Sequence, residues 1–356
     1  MVALSLFFFK ALGLSMQRKR NGYNDTDVPT LADVARLAGT SEITASRVVR
    51  NQGPIADATR ARVQRAIAEL GYIPNRAAGS LASAASTLMA VVLPSLSNIV
   101  FPDVLRGIHT AITETAFQPV IGVTDYDPVV EERILLSFLA WKPAAVIVAG
   151  LHHTATARRY LERGRFRVAE VMDIDGDPVD IAVGMSHHEA GHATGRHLIS
   201  RGYRNFGYAG HMIETDDRAS ARYNGLRAAL QEAGLSLVAE HRTPGGSSTK
   251  IGRDSLEILL AQHPELDVVI FPNDDMALGG IFHCMHAGIP VKEKLGIFGF
   301  NGLDIGQALP MPLSTILSRR FLIGRTAAEK LLESRVRPED KTIINTGFDI
   351  IEGETA

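Results

Sequence analysis

Residues 30–51 read TLADVARLAGTSEITASRVVRN, and the rest of the chain is parsed outward from them. Thr30 followed by Asp33 is the spacing at which a capping hydroxyl and an acidic side chain satisfy the free N–H groups of a helix start. Val34, Ala35 and Ala38 then share one helical face, and Gly39 breaks the helix. Ser41 is placed to cap a second helix, with Ala45, Val48 and Val49 as its apolar face and Glu42, Ile43, Ser46, Arg47 and Arg50 on the other. A third amphipathic stretch, ATRARVQRAIAEL (58–70), spaces Val63, Ile67 and Leu70 for burial and ends at Gly71. A tight turn followed by a polar, basic second helix is the helix-turn-helix arrangement, whose second helix fits the DNA major groove. A three-helix bundle with a solvated face has the same periodicity, so this stretch alone leaves both readings open.

The charge distribution is a first clue to function. The 356-residue chain has a length typical of two or three domains, and its composition, 46% hydrophobic and 21% charged, is that of a globular protein. The net charge of −2 is unevenly spread: residues 16–83 carry 10 Lys/Arg against 6 Asp/Glu, and residues 84–356 carry 26 against 33. A small basic head on an acidic body points to a polyanionic partner for the head alone. The one cysteine, Cys284, excludes a disulfide framework and any Cys-rich zinc module, and suits a reducing cytoplasm. The apolar opening MVALSLFFFKALGLS (1–15) is too short to span a bilayer, is interrupted by Lys10, and has neither a basic leader nor a cleavage site. Residues 1–27 are therefore expected to be a disordered or mis-started extension, and the protein is expected to be cytoplasmic, with no membrane contact.

Beyond residue 87 short apolar runs alternate with helical patterns. MAVVLP (89–94), PVIGVT (119–124), AAVIVA (144–149), FGYAG (206–210), DVVIFP (267–272) and LGIFGF (295–300) read as buried parallel strands. Helical stretches such as 101–116, 219–234 and 247–263 lie between them. This βαβ alternation predicts two doubly wound α/β lobes, which bind ligands beyond the carboxyl ends of their strands. The residues just after each run are then the ligand candidates: Ser95 to Phe101, Ser186, Asn273 with Asp274, and Asn301.

With Asp33-Val34-Ala35, Ala38-Gly39, Ser41, Thr44, Ser46-Arg47-Val48 and Gly71-Tyr72-Ile73-Pro74-Asn75-Arg76 in place, the chain from Thr30 onward closely resembles the LacI/GalR family of bacterial transcription regulators. The resemblance implies a helix-turn-helix head (28–74), a hinge helix and linker (75–86) and a two-lobed, periplasmic-binding-protein-like core (87–356) that binds an effector and dimerises. It makes Glu42 and Ile43 the operator-selecting positions, Arg47 a base-reading arginine, and Ser41, Thr44 and Ser46 backbone or base contacts. Thr30, Leu31, Tyr72, Asn75, Arg76 and Ala78 join the implied DNA-contacting set. Arg50, where many members have Asn, is a candidate phosphate contact. Leu81 holds the position of the leucine that wedges into the minor groove. Its surroundings agree, because a short Ala/Gly/Ser-rich helix is marginal in isolation and needs a partner to order it. A homodimer, or a higher oligomer, on palindromic double-stranded operator DNA follows from the same resemblance.

The resemblance also implies an effector cleft between the lobes: Phe101 as a lining aromatic, Arg222 as an effector-binding arginine, Asn273 as a hydroxyl-binding residue, with Ser95, Asn98 and Ser186 at neighbouring strand ends. Asn301 stands where many members place an Asp. Losing that negative charge favours an anionic ligand and leaves Arg222, read here as the single well-placed cation, to fork onto a carboxylate. LPSLSNIVF (93–101), VMD (171–173), DIAVG (180–184), NDDMALG (273–279) and GFNGLDIGQ (299–307) resemble the gluconate-utilisation repressor subgroup, so gluconate is the expected effector, with related sugar acids, sugars and sugar phosphates as alternatives.

Two other classes compete. His188-Glu189-Ala190-Gly191-His192 is a literal H-E-x-x-H, which on a helix can hold zinc. The extended zinc-peptidase pattern fails, because Leu198 occupies the third-ligand position and His197 is one residue early, although His211 and Glu214 lie near a usable spacing. The expectation is no catalytic residue, no metal and no cofactor. Phosphate-binding and dinucleotide glycine motifs and a G-x-S-x-G elbow are missing from the sequence. A periplasmic sugar-binding protein would share the two-lobed body, but residues 30–83 have no place in one.

Overall fold

The computed structural model describes residues 28–74, 86–211, 216–244, 246–334 and 339–356. The chain divides into two compact units, the first ending at Ala84 and the second beginning at Ala85. The hinge residues Asn75, Arg76, Ala78 and Leu81 lie outside the described residues.

In the first unit three helices, α1 (Leu31–Leu37), α2 (Glu42–Val49) and α3 (Asp57–Leu70), form a small bundle. The predicted capping box is present, with the Thr30 hydroxyl donating to Asp33 at 2.6 Å and the Thr30 N–H donating to the same carboxylate at 2.9 Å. Ser41 caps α2 by accepting from the Thr44 N–H at 3.2 Å. Gly71, at φ +63°, ends α3 in the left-handed conformation that a side chain disfavours. Val34, Ala35, Ala38, Ala45, Val48, Val63 and Ala66 form the core, and Leu31, Ile67, Leu70 and Tyr72 pack on its edge.

The second unit is two three-layer α/β/α lobes. Lobe 1 contains β1 (Leu88–Leu93), α4 (Val100–Ile112), β2 (Gln118–Val123), α5 (Pro128–Leu139), β3 (Ala145–Ala149), α6 (Ala155–Arg163), β4 (Arg167–Val171) and β5 (Ile181–Gly184). Lobe 2 follows with α7 (His187–Ser200), β6 (Phe206–His211), α8 (Asp217–Glu232), β7 (Leu237–Thr243), α9 (Thr249–Gln262), β8 (Val268–Ile270), α10 (Asp274–Ala287), β9 (Gly296–Asn301), α11 (Asp304–Gln307) and β10 (Ser314–Ser318). The chain then returns to lobe 1 as α12 (Arg320–Glu333) and β11 (Thr342–Asn345), and closes in lobe 2 as β12 (Phe348–Ile351). It therefore crosses between the lobes three times, which makes their relative placement a property of short connecting segments.

The strand orders are β11-β5-β4-β3-β1-β2 and β12-β10-β9-β8-β6-β7. Every pair in the first sheet is parallel; in the second only the edge pair β10–β12 is antiparallel, a departure from the purely parallel expectation. Helices cover both faces, so strands such as Met89–Leu93 and Ala145–Val148 are apolar throughout. The strand order reverses between β1 and β3 in lobe 1 and between β6 and β8 in lobe 2, and these switch points open the crevices in which doubly wound sheets bind ligands.

Three helix pairs are packed through one glycine from each partner: Gly107 and Gly324 for α4 and α12, Gly191 and Gly225 for α7 and α8, Gly252 and Gly279 for α9 and α10. At each of the six, a β-carbon would fall inside a backbone carbonyl oxygen of the facing helix. Gly191 of the H-E-x-x-H string faces the carbonyl of Arg222, so that glycine has a packing role that needs no metal.

Lobe 1 also buries a charge network missed by the sequence reading. His153 sits between Glu131 of α5 at 2.6 Å and Glu170 of β4 at 3.3 Å, and its side chain is fully buried. Burial opposes charge on the ring, but the hydrogen bonds to Glu131 and Glu170 outweigh it and raise the His153 pKa to about 9. A histidine whose pKa is raised by folding stabilises most below its unfolded pKa, and that contribution fades as pH climbs through the folded value. Melting temperature is expected to fall between about pH 6.5 and 9 in the wild type, and His153→Gln is expected to flatten that slope in a thermal-melt series.

Candidate operator-reading helix and effector cleft

On α2, core packing of Ala45 and Val48 turns Glu42, Ile43, Arg47 and Arg50 to solvent. Ile43 is 68% exposed, an unusual position for a large aliphatic side chain and one suited to contact with a thymine methyl group. Arg50 folds back, donating from Nη2 to the Ser46 hydroxyl at 2.6 Å, and the Ser41 and Thr44 hydroxyls lie 2.9 Å apart. Thr30, Ser41 and Ser46 thus spend their hydroxyls within the head, while Leu31 and Tyr72 pack on its core. Glu42, Ile43 and Arg47 remain exposed as the candidate reading surface. Arg47→Ala is expected to weaken operator binding by about 1–3 kcal/mol and to relax base preference at one position, read by binding to single-substituted operators.

The second unit gathers the candidate cleft residues at its two switch points. After β1, the Ser95 hydroxyl accepts the backbone N–H groups of Ser97 and Asn98, both at 3.2 Å, and Asn98 donates to the Tyr126 hydroxyl at 3.1 Å. Phe101 is buried in the first turn of α4. From lobe 2, the Arg218 guanidinium stands 5.6 Å from the centre of the Phe101 ring, so α8 reaches across to lobe 1. Arg222, one turn later, lies 4.2 Å over the Phe300 ring and donates from Nη1 to His187 Nδ1 at 2.9 Å. The other nitrogen of His187 donates to the Met172 carbonyl of lobe 1 at 2.7 Å, which fixes the neutral Nε2–H tautomer. Burial, and then the Arg222 guanidinium, hold the His187 pKa well below its usual value.

Ser186 caps α7 by accepting from Glu189 N–H at 3.0 Å and donates to Asp175 at 2.8 Å. Asn273 caps α10 through Oδ1, accepting from Met276 N–H at 3.0 Å, and its amide nitrogen lies 3.2 Å from His211 Nε2 at the end of β6. Asn301 takes a positive φ of +120°, and its carbonyl accepts from Arg320, which also grips Asp103 of α4 at 3.0 Å. Asp274, read from sequence as a ligand candidate, is instead fully buried, accepting from Leu303 N–H and the Thr315 hydroxyl, both at 2.6 Å, and burial lifts its pKa to about 6. Its environment makes it a structural support for the β9 end.

Phe101, Arg222, Asn273, Asn98 and the polar loop after β1 thus belong to one interlobe cluster, whereas Ser95 and Ser186 are engaged in loop and helix caps. The reading of Arg222 as the lone cation needs correction, because Arg218 sits beside it on the same helix face. Arg218 is paired with Asp216 at 3.3 Å. Burial opposes ionisation of Asp216, but Arg218 and Arg222 hold its pKa at about 2. His187, His211, Asp216, Arg218, Tyr126 and Phe300 were not singled out as cleft residues from sequence. One signal was present: Arg218 precedes Arg222 by four residues, one helical turn.

The zinc-like string faces the other way. His187 points into the cleft, while His188 and His192 line an open surface groove of about 700 Å3 between α7, α8 and β12. His192 is bonded there to Glu232 at 3.0 Å. Among the described residues no group of three or more His, Cys, Asp or Glu side chains is arranged to hold a metal ion, and no helix is long and apolar enough to cross a membrane. His211, considered above at metal-ligand spacing, lies against Asn273. Cys284 is buried in α10, and burial pushes its thiol up to about 11.

A three-helix head with an exposed polar recognition helix, followed by a two-lobed α/β unit with a polar interlobe cleft, defines a ligand-responsive DNA-binding regulator. Residues 30–75 match the bacterial regulatory proteins of the lacI family, and residues 86–348 match the family described as periplasmic binding proteins and sugar binding domain of LacI family. The chain belongs to the LacI family of transcriptional regulators; it is a DNA-binding regulator and not an enzyme. It is 36% identical over 344 residues to the HTH-type transcriptional regulator GntR of Pseudomonas aeruginosa, covering 96% of this chain and 100% of the relative. It is 35% identical over 330 residues to GntR of Escherichia coli K12, covering 91% and 98%. Among solved structures, a LacI-family transcriptional regulator from Silicibacter pomeroyi superimposes with a TM-score of 0.87 at 43% identity, covering 92% of this chain and 99% of that one.

Proposed function

We propose that the protein is a cytoplasmic, homodimeric repressor of sugar-acid utilisation genes, released from its operator by gluconate or a related sugar acid. Residues 28–74 form the DNA-binding domain, residues 75–86 the hinge and residues 87–356 the effector-binding and dimerising body. Two recognition helices read half-sites about 34–36 Å apart on a palindrome, with Glu42 and Ile43 selecting sequence and Arg47 gripping a base edge. Asn75, Arg76 and Ala78 contact the backbone near the wedge residue Leu81. Leu81→Ala is expected to weaken binding to the specific operator far more than to random duplex, because a wedge acts only on bent DNA; equal losses on both in a mobility-shift assay would contradict that role.

The observation that carries the effector reading is the state of Arg222. Its nearest polar partners are both neutral, His187 Nδ1 at 2.9 Å and the Pro272 carbonyl at 3.5 Å, and among the described residues it makes no ion pair. A half-buried guanidinium hydrogen-bonded to neutral partners favours a carboxylate, and the polar strand ends of the cleft, with Asn98 held by Tyr126 and Asn273 beside His211, suit a polyol chain. A ligand shifts operator affinity only through its preference for one lobe arrangement. Binding across the cleft, between Arg222 of α8 and the Asn98 loop of lobe 1, gives such a preference. Calorimetric titration with gluconate, glucose and galactose tests the reading: gluconate alone is expected to bind, and tight binding of a neutral sugar without gluconate binding would overturn it.

A further inference from the structure

The cleft holds two polar atoms with no partner among the described residues, Arg218 Nη1 and His211 Nδ1, and both are buried. Each is a donor. Arg218 gives its Nε to Asp216, and Nη1 remains an N–H on a planar guanidinium. For His211 the tautomer follows from its neighbour. Asn273 Oδ1 accepts from Met276 N–H, so the amide group facing His211 Nε2 is the NH2, Nε2 must accept, and Nδ1 carries the hydrogen. Buried donors of this kind are costly unless something supplies an acceptor.

The three donors differ in charge balance. Arg222 makes no direct ion pair among the described residues, and Asp216, at 3.3 Å from Arg218, is the one carboxylate that both guanidiniums act on, so the pair of arginines keeps one positive charge in excess, on the Arg222 side. His211 is kept neutral by burial, which lowers its pKa. One position therefore calls for a negative charge and two call for uncharged oxygen acceptors. We infer that the effector is a monoanionic polyhydroxy acid, its carboxylate on Arg222 and two of its hydroxyl oxygens on Arg218 Nη1 and His211 Nδ1, and that Arg218 and His211 set selectivity against its phosphorylated form. A phosphate placed at Arg218 meets the ionised Asp216 carboxylate and finds no free countercharge there. This rests on the effector reading above and narrows it from sugar acids and their phosphates to the free acid.

The test is calorimetry on the full chain with gluconate and 6-phosphogluconate, with glycerate measured by competition. Glycerate carries the same carboxylate on a shorter polyol chain. Gluconate is expected to bind roughly tenfold or more tightly than 6-phosphogluconate. Arg218→Lys, which keeps the charge beside Asp216, and His211→Phe are each expected to weaken gluconate about tenfold while moving glycerate by less than about twofold. Tighter binding of 6-phosphogluconate, or equal losses for gluconate and glycerate, overturns the inference and leaves the sugar-acid reading intact. Failure of the wild type to bind any of the three acids overturns both.

Discussion

Arg222→Ala is expected to remain on the operator at gluconate concentrations that release the wild type. The guanidinium is half-buried, stacked over Phe300 and hydrogen-bonded only to neutral acceptors, and it shares Asp216 with Arg218 without pairing to it, so it keeps charge for the ligand. Truncating one partner of a buried charge-assisted pair costs about 2–5 kcal/mol, which corresponds to a loss of roughly 30-fold to several thousand-fold in effector affinity. The comparison is a gluconate titration of a preformed protein–operator complex. Release of Arg222→Ala at the wild-type gluconate concentration would remove Arg222 from the site.

Gly191→Ala is expected to destabilise the second unit as strongly as any single methyl group can. The added carbon falls on the Arg222 carbonyl oxygen, and neither α7 nor α8 can move aside freely, because their apposed faces pack on the core containing Ala190, Leu198, Tyr223 and Leu226. Overpacking of this kind costs about 1–3 kcal/mol, a fall of several degrees in melting temperature for a unit of this size. Because the displaced backbone is that of Arg222, gluconate affinity should fall together with stability. His188→Ala, on the exposed turn of the same string, should change neither. A wild-type melt for Gly191→Ala would show that the two helices can part without cost.

The sheet architecture was legible where strands are buried on both faces, because runs such as Met89–Leu93 and Ile297–Phe300 then carry no polar residue. Arg167–Val171 escaped notice because Arg167 and Glu170 interrupt the apolar pattern, each being buried against a partner, Asp180 at 2.7 Å and His153 at 3.3 Å. The edge strands Leu237–Thr243, Thr342–Asn345 and Phe348–Ile351 alternate or are short, which local pattern does not separate from loop. The head was legible because its caps are local, three residues apart. In the cleft, Phe101 and Asn273 were marked by their places after strands as well as by resemblance, and Arg222 by resemblance alone. His187, His211 and Asp216 matter only because α7, β6 and α8 meet there, and no spacing in the sequence records that meeting. The literal H-E-x-x-H misleads for the same reason: helical phase turns His187 inward and leaves His188 and His192 on the surface.

The most direct test of the account is fluorescence anisotropy of the full chain on a labelled palindromic operator, selected from a randomised pool, with and without gluconate. Saturable binding at two protomers per palindrome, loss of affinity when Arg47 is replaced by alanine, and release on adding gluconate but not glucose are the expected results. Binding that is equal on random duplex and unaffected by gluconate would contradict it.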